Sequence, residues 1–157
     1  MANVVDSELD RIALEARNSE NPDLLGVYDE FEHVLGLGFV ACQTYIVSKL
    51  KGKVSKRKGK NKTQLLSLGP MHRSQQSFAL VINACANYWK HHDEWDGASL
   101  GNREKTTISV LEKMGADVWS EYPTSKVMHA LLSPHEKRFK KLLPFLKQWA
   151  ENAHNAI

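Results

Sequence analysis

The sequence predicts an all-α fold: a single-domain bundle of five to seven helices with a long antiparallel helix pair at its centre. Three observations support this. Apolar residues recur every three or four positions through most of the chain, which is the period of a helix buried along one side. No segment alternates apolar and polar residues as a half-buried strand does. The 157 residues contain no internal repeat or composition change that would mark a second domain, and they suffice for a hydrophobic core.

The N-terminal third of the chain predicts two helices. The first covers residues 5–17, and either Asp6 or Ser7 is expected to cap it. The second, about residues 22–51, is the longest, and Pro22 suits its first turn because the missing N–H would be unpaired there anyway. Its apolar seam alternates spacings of four and three, as in a helix packed along another helix: Leu24, Tyr28, Phe31, Leu35, Gly38, Cys42 and Tyr45.

Two glycines interrupt the long second helix. Gly36 and Gly38 each disfavour a helix interior by about 1 kcal/mol relative to alanine. We expect them to allow close approach of a neighbouring segment, with a kink or break of the helix as the alternative.

The remaining two thirds predict a loop followed by four helices. The loop is Lys-rich and flexible, and Ser74 is the expected cap of the helix that pairs with the long one. The segment around Trp119 and Tyr122 is irregular and expected at the core edge, and the four tryptophans are expected to pack in or at the edge of the core. Pro144 predicts a kink or break near Lys140. The predicted ranges are 51–63 for the loop and about 75–92, 102–114, 123–132 and 134–155 for the helices.

Composition limits the classes of function. Residues 1–11 contain three acids and no apolar core of a signal peptide, and no apolar run approaches the roughly 20 residues of a membrane helix. Cys42 and Cys85 lie among apolar residues, a setting of buried rather than nucleophilic thiols. The sequence therefore predicts a cytoplasmic protein that contacts no membrane, with neither a cysteine nucleophile nor a cofactor.

Positive charge is concentrated in one short segment. Eight lysines and arginines fall within residues 49–62 of a chain whose net charge is only +3, so the rest of the chain is acidic overall. Such a run is usually a solvated loop, but its density also predicts contact with nucleic-acid phosphates. The candidate nucleic-acid residues are Lys53, Lys56, Arg57, Lys58 and Lys60.

Residues 77–95 pass from an almost unbroken apolar run to a dense polar cluster. Asn87 and His91 are four residues apart, so on a helix they share one face. A histidine held by an amide one turn away is a plausible acid–base pair, because imidazole titrates near neutral pH. The same residues also suit a merely polar helix end, with histidines favoured by the helix dipole. Candidate ligand-binding residues are Trp89, His92, Asp93, Glu94, Trp95 and Arg73, with the two tryptophans as walls for a flat ligand.

The stretch Ala86-Asn87-Tyr88-Trp89-Lys90-His91 resembles the HEPN superfamily of small all-α domains, many of which carry Arg-Asn and then His about one turn later. The resemblance implies a protein of a defence, toxin–antitoxin or mobile-element system, often dimeric and often acting on RNA without a metal. It implies His91 as the acid–base group with Asn87 beside it. Ala86 occupies the position of the arginine that is thought to bind the scissile phosphate, which leaves Lys90 as the phosphate contact and argues against cleavage.

Two other classes of function stay open. One is an interaction or ligand-binding module without chemistry, which binds a protein partner or forms a homodimer through the glycine-containing face of the long helix. The other is a metal-binding bundle built on Glu30-x-x-His33 and the reversed His91-x-x-Glu94, although a di-iron bundle needs two forward motifs and two further glutamates. We assign no metal ligand on this basis.

Overall fold

A computed structural model describes residues 1–23, 26–51, 61–132 and 136–156. In these ranges the chain is all-α, and its only β-like pairing is an isolated bridge between Met71 and Ser77. The α-helices are α1 (Ala2–Asn18), α2 (Val27–Leu50), α3 (Lys62–Leu66), α4 (Phe78–His91), α5 (Asn102–Glu112), α6 (Pro123–Leu131) and α7 (Leu143–Asn155), with 3-10 turns at His92–Glu94 and Phe139–Lys141. No helix in these ranges combines the length and apolar character needed to cross a membrane.

The α2–α4 pair forms the centre of the bundle, as predicted. Gly36 of α2 lies against Trp89, and further along α2 Gln43 reaches Asn83, so the two helices run antiparallel. Ile46, Phe39 and Leu35 of α2 and Ile82 of α4 are fully buried. Around this pair pack α1, α5, α6 and α7.

The two glycines of α2 are covered by aromatic rings. A Cβ on Gly36 would lie 2.1 Å from Trp89 Cδ2, and one on Gly38 would lie 2.3 Å from Phe139 Cζ. The expectation of close approach is therefore confirmed, with side-chain rings as the neighbours, and α2 continues unbroken through both glycines. Because the chain's own rings cover Gly36 and Gly38, these two glycines are not open to a second copy, and a homodimer stays a prediction.

Several helix starts differ from the prediction. α2 begins at Val27, after Gly26 at φ 65°, so Pro22 precedes the helix; the predicted seam residue Leu24 lies outside the described residues. α4 is capped by Ser77, whose Oγ accepts from Leu80 N, whereas Ser74 Oγ donates to Met114 Sδ. The predicted loop ends earlier than expected, because Asn61 and Gln64 form a capping box that starts α3 at Lys62.

Two buried carboxylates join the N-terminal helices to the C-terminal third. Asp6 does not cap α1, which begins at Ala2; it accepts from the amides of Phe139 at 2.6 Å and Lys140 at 3.1 Å. Glu32 of α2 accepts from the amides of Thr124 at 2.6 Å and Ser125 at 2.9 Å, in the first turn of α6. These carboxylates satisfy amides that no intrahelical carbonyl reaches.

The C-terminal helix is broken where Pro144 predicts it. The Phe139–Lys141 turn is followed by α7, in whose first turn Pro144 lies. Trp149 of α7 is fully buried and donates from Nε1 to Leu65 O at 2.9 Å, whereas Trp119 is 57% exposed and does not plug the core as expected.

Candidate functional site

The polar cluster at the end of α4 is divided between two clefts. Each residue of an α-helix turns the chain by about 100°, so Asn87 and His91 point to one side of α4, and Trp89 and His92 point to the other. We call the first the His91 cleft, of about 1090 Å³; it is lined by Asn61, Lys62, Thr63, Asn87, His91, Glu94, Trp95, Asp96, Ser99, Leu100, Gly101, Arg103, Glu104 and Thr107. We call the second the Trp89 cleft, of about 640 Å³; it is lined by Asp29, Glu32, His33, Tyr88, Trp89, His92, Asp93, Ser120, Glu121, Tyr122 and Pro123.

A buried glutamine of α2 holds the polar side of α4. The Nε2 group of Gln43 donates to Asn87 Oδ1 at 2.7 Å and to Asn83 Oδ1 at 3.1 Å, and its Oε1 accepts from Lys90 Nζ at 2.7 Å. Because Asn87 accepts through its oxygen, its amide NH₂ is left as the donor toward the cleft. Gln43 was not predicted as a site residue, although a glutamine beside the apolar seam of α2 indicates a buried polar contact.

His91 and Glu94 form the outer wall of the His91 cleft. His91 Nδ1 lies 3.4 Å from Glu94 Oε2, and both side chains are more than half exposed. The predicted pair of Asn87 and His91 therefore shares one cleft. Trp95 lines the same cleft and packs edge-on against Tyr88 with ring centroids 5.5 Å apart.

Two cations on the opposite wall were not predicted as part of this site. Lys62 comes from the first turn of α3, and Arg103 comes from the first turn of α5. Partial desolvation and the charge of nearby Lys90 lower the pKa of Lys62 below its usual value. Lys62 belonged to the predicted loop, and the Asn61-x-x-Gln64 capping pattern was the signal that could have placed it on a helix.

The acids and cations of the His91 cleft differ in their pairing. Glu94 faces His91, and Asp96 accepts from Ala98 N at 3.0 Å and Ser99 Oγ at 3.3 Å. Glu104 folds back over Gly101 at the start of α5. By contrast, neither Lys62 nor Arg103 forms a salt bridge within the described part of the chain. The lining of the His91 cleft therefore combines three carboxylates with two cations that have no salt-bridge partner among the described residues.

The other predicted ligand-binding residues do not join this cleft. Trp89, His92 and Asp93 line the Trp89 cleft, so no single pocket lies between Trp89 and Trp95 as expected for a flat ligand. Arg73 precedes the start of α4 and neighbours His72, whose pKa is lowered by burial and by this arginine among smaller effects. Because α4 is about 21 Å long, Arg73 lies at the far end from His91, and its assignment to the cluster is wrong.

Ala86 is fully buried in the core. An arginine at this position would point away from the His91 cleft and into packed apolar side chains, so the departure from the HEPN motif matches the local packing. Lys90, which the resemblance made the phosphate contact, does not line the cleft and donates to Gln43.

The remaining candidates have other partners or lie outside the structure described. Lys53, Lys56, Arg57, Lys58 and Lys60 all fall outside the described residues. For the metal hypothesis, Glu30 pairs with Arg11, and His33 packs edge-on against Trp89 at 4.9 Å. No group of three or more potential ligands from His, Cys, Asp and Glu converges among the residues that the structure describes.

The thiols have the properties expected from the sequence. Burial, with a smaller contribution from Asp6, raises the pKa of Cys42 to about 12, and burial likewise raises that of Cys85 well above its usual value. Neither is a nucleophile at neutral pH.

Comparison with known proteins finds no matching family model, curated protein or solved structure.

Proposed function

We propose that the protein is a HEPN-like RNA-binding protein that holds a phosphodiester in the His91 cleft. One observation carries this proposal. Asn87 and His91 open into a single cleft of about 1090 Å³ whose inner wall adds two cations, Lys62 and Arg103, without carboxylate partners among the described residues. A phosphate group suits this arrangement, because it accepts hydrogen bonds from an amide NH₂ and an imidazole while its charge is balanced by lysine and arginine.

In this proposal His91 is also the group that transfers a proton. In metal-independent RNA cleavage the 2′-oxygen attacks the adjacent phosphorus and the bond from phosphorus to the 5′-oxygen breaks. The products are a 2′,3′-cyclic phosphate and a 5′-hydroxyl. His91 takes the proton of the 2′-hydroxyl, water returns a proton to the leaving 5′-oxygen, and the Asn87 amide donates to a non-bridging oxygen.

A second candidate is RNA binding without cleavage, and the position of Ala86 favours it. No arginine side chain comes from this position into the cleft. Arg103 and Lys62 supply positive charge there, but they come from α5 and α3 and not from the position beside Asn87 where the HEPN motif has its arginine. The same cleft then binds RNA and leaves it intact.

Binding is tested with a fluorescein-labelled single-stranded RNA of 12 nucleotides, followed by anisotropy at several salt concentrations. We expect Arg103→Met to weaken binding about five-fold or more, because it removes one phosphate contact. The matched control is Lys105→Met, which removes an equal charge two residues along α5 and outside the residues that line the cleft. Equal losses in the two variants, or no RNA binding by the wild type, would contradict the proposal.

Cleavage is tested separately on the same RNA by gel electrophoresis in EDTA. If His91 transfers protons, His91→Ala lowers the rate at least about 100-fold while the exposed control His129→Ala leaves it unchanged. If the wild type binds RNA and never cleaves it, the second candidate is correct. Light scattering of the same samples gives the oligomeric state, for which a homodimer and a protein partner stay predictions.

A further inference from the structure

We propose that the Trp89 cleft is a binding site for an organic cation, that is, an alkylammonium or guanidinium group. This inference is independent of the RNA proposal, because the two clefts have no lining residue in common within the part of the chain that the structure describes. It depends on three properties of the cleft: aromatic walls, carboxylates and size.

The first property is a continuous array of rings. His92 stacks on Tyr88 with centroids 4.9 Å apart and on Trp89 with centroids 5.6 Å apart, and His33 meets Trp89 edge-on at 4.9 Å. Gly36 lets the indole of Trp89 pack directly against α2, which fixes its position. Tyr122 lines the facing side of the cleft. Aromatic faces attract cations through their quadrupole and need no hydrogen bond from the ligand.

The second property is the charge of the lining. Asp29, Glu32, Asp93 and Glu121 line the cleft, and no lysine or arginine among the described residues does. Glu32 is engaged by the amides of α6, and the other three carboxylates lie on exposed residues, of which Asp93 lies 3.2 Å from His92 Nε2 and Asp29 is hydrogen-bonded to Tyr122. Lys126 Nζ donates to Ser120 Oγ, which lines the cleft, at 2.6 Å.

The pKa values of Tyr88 and Tyr122 reflect burial and the carboxylates around the cleft. Burial raises the pKa of Tyr88 to about 12, and the charges of Glu32 and Asp93 add to this. Desolvation, followed by the charges of Asp29 and Glu121, raises the pKa of Tyr122. Burial is the largest cause of both shifts; only the smaller contributions, from nearby carboxylates, have the sign of a negative potential that favours a cation.

The third property is the spread of the carboxylates around a volume of about 640 Å³. A metal ion requires ligands that converge to about 2 Å, and no such group exists among the described residues. A bulky cation instead needs apolar contact over its surface and carboxylates at longer range. The volume is within the range of small-molecule sites.

The test uses choline and its neutral isostere 3,3-dimethylbutan-1-ol, which have the same shape and differ in charge. We expect choline to bind with a Kd of about 1 mM or lower, as measured by calorimetry, and the isostere not to bind. In NMR spectra the indole N–H of Trp89 should shift on titration. The indole of Trp149, which is buried in the core and bonded to Leu65 O, serves as an internal reference and should not move. Equal binding of both probes, or no binding of choline at 20 mM (about twenty times the expected Kd), overturns the proposal.

Variants then locate the site. Asp29→Asn combined with Glu121→Gln should weaken choline binding about ten-fold, since each exposed charge contributes about two- to five-fold. Glu151→Gln on α7 is the control of equal type and should have no effect. Tyr122→Asn removes one ring; asparagine tolerates the φ of 57° that Tyr122 adopts, so this variant is expected to fold. An unchanged affinity in both the double variant and Tyr122→Asn contradicts the proposal.

The source of the cation is decided by two further probes, the N-acetyl amides of arginine and of trimethyllysine. If either binds at least ten-fold more tightly than choline, the occupant is a side chain of a basic peptide. If choline binds as well as or better than both, the occupant is a free small cation. Either result supports the site.

Discussion

The His91 cleft and the Trp89 cleft receive consecutive residues of the same helix end, yet they differ in the charge they offer to a ligand. His91 lies in a cleft with an asparagine amide and two cations that form no salt bridge among the described residues, whereas His92 is stacked on Tyr88 and on Trp89 in a cleft lined by four carboxylates. Adjacent positions on a helix point about 100° apart, so a cluster in sequence becomes two separate surfaces. Neighbouring histidines of one helix end therefore enter different clefts, although each lies beside a carboxylate, His91 at 3.4 Å from Glu94 and His92 at 3.2 Å from Asp93.

The largest effect is expected from Glu32, which lines the Trp89 cleft and binds the first amides of α6. Glu32→Ala removes the acceptor for the first amides of α6 and should lower the free energy of unfolding by about 3 kcal/mol, measured by urea denaturation. Because Tyr122 and Pro123 at the start of α6 line the Trp89 cleft, choline binding should weaken more than RNA binding.

Glu32→Gln keeps one acceptor oxygen and the side-chain shape, so its loss should be smaller, about 1 kcal/mol. If Glu32→Ala and Glu32→Gln are both as stable as the wild type, the carboxylate does not hold α6 and the contrast between the clefts loses its structural basis.

An intermediate effect is expected from Gly36→Ala. The new methyl group would overlap the indole of Trp89, so the ring must move, and the free energy of unfolding should fall by about 1–3 kcal/mol. Choline binding should be lost, while RNA binding through Asn87 and His91 on the other side of α4 is retained. Leu37→Ala, at the exposed neighbouring position, is the control and should change neither ligand. Loss of both ligands from Gly36→Ala would show that the clefts are not separable.

The smallest effect concerns Lys62, which lines the His91 cleft and not the Trp89 cleft. Lys62→Met should reduce the slope of log K against log salt for single-stranded RNA by about 0.7 and leave choline binding unchanged. An unchanged slope would remove Lys62 from the phosphate contacts.

Lys62 also predicts a dependence of stability on pH. Its pKa is lowered in the folded state, so between that pKa and its ordinary value the unfolded chain binds more protons. In this alkaline window the free energy of unfolding therefore rises with pH through this group, and the unfavourable contribution is fully present below the folded pKa. Lys62→Met should remove this rise, as measured by urea denaturation across the window, and Lys105→Met is the control.

The sequence predicted the architecture because apolar spacing alone determines which face of a helix is buried. It placed the α2–α4 pair and expected the glycines to permit close contact, and Gly36 and Gly38 do so. Helix starts were less predictable, since Ser74 and Ser77 are equally good caps in isolation. Their roles depend on contacts distant in sequence, with Ser74 bonded to Met114 and Ser77 to Leu66.

The candidate site was predicted only in part. Asn87 and His91 share a face by helical period alone, so their proximity followed from sequence. Lys62, Arg103 and Gln43 come from three other helices, and nothing local in sequence brings them to α4. The helical period also explains why the polar residues at the end of α4 divide between two sides of the helix. The Trp89 cleft itself could not be predicted, because its other wall comes from residues 120–122 and the start of α6, whose position depends on the bond to Glu32.

The two buried carboxylates also constrain the order in which the chain acquires its structure during synthesis. The backbone amides that bind Asp6 and Glu32 lie 133 and 92 positions further along the sequence, at Phe139 and Thr124. Until those amides leave the ribosome, α1 and α2 carry two acids at positions that the native fold buries, and a stable half-bundle would hold them without partners. We therefore expect the backbone amides of α1 and α2 to exchange their hydrogens with solvent until the last third of the chain is made. Protection of the whole molecule against hydrogen exchange should then appear in one late step.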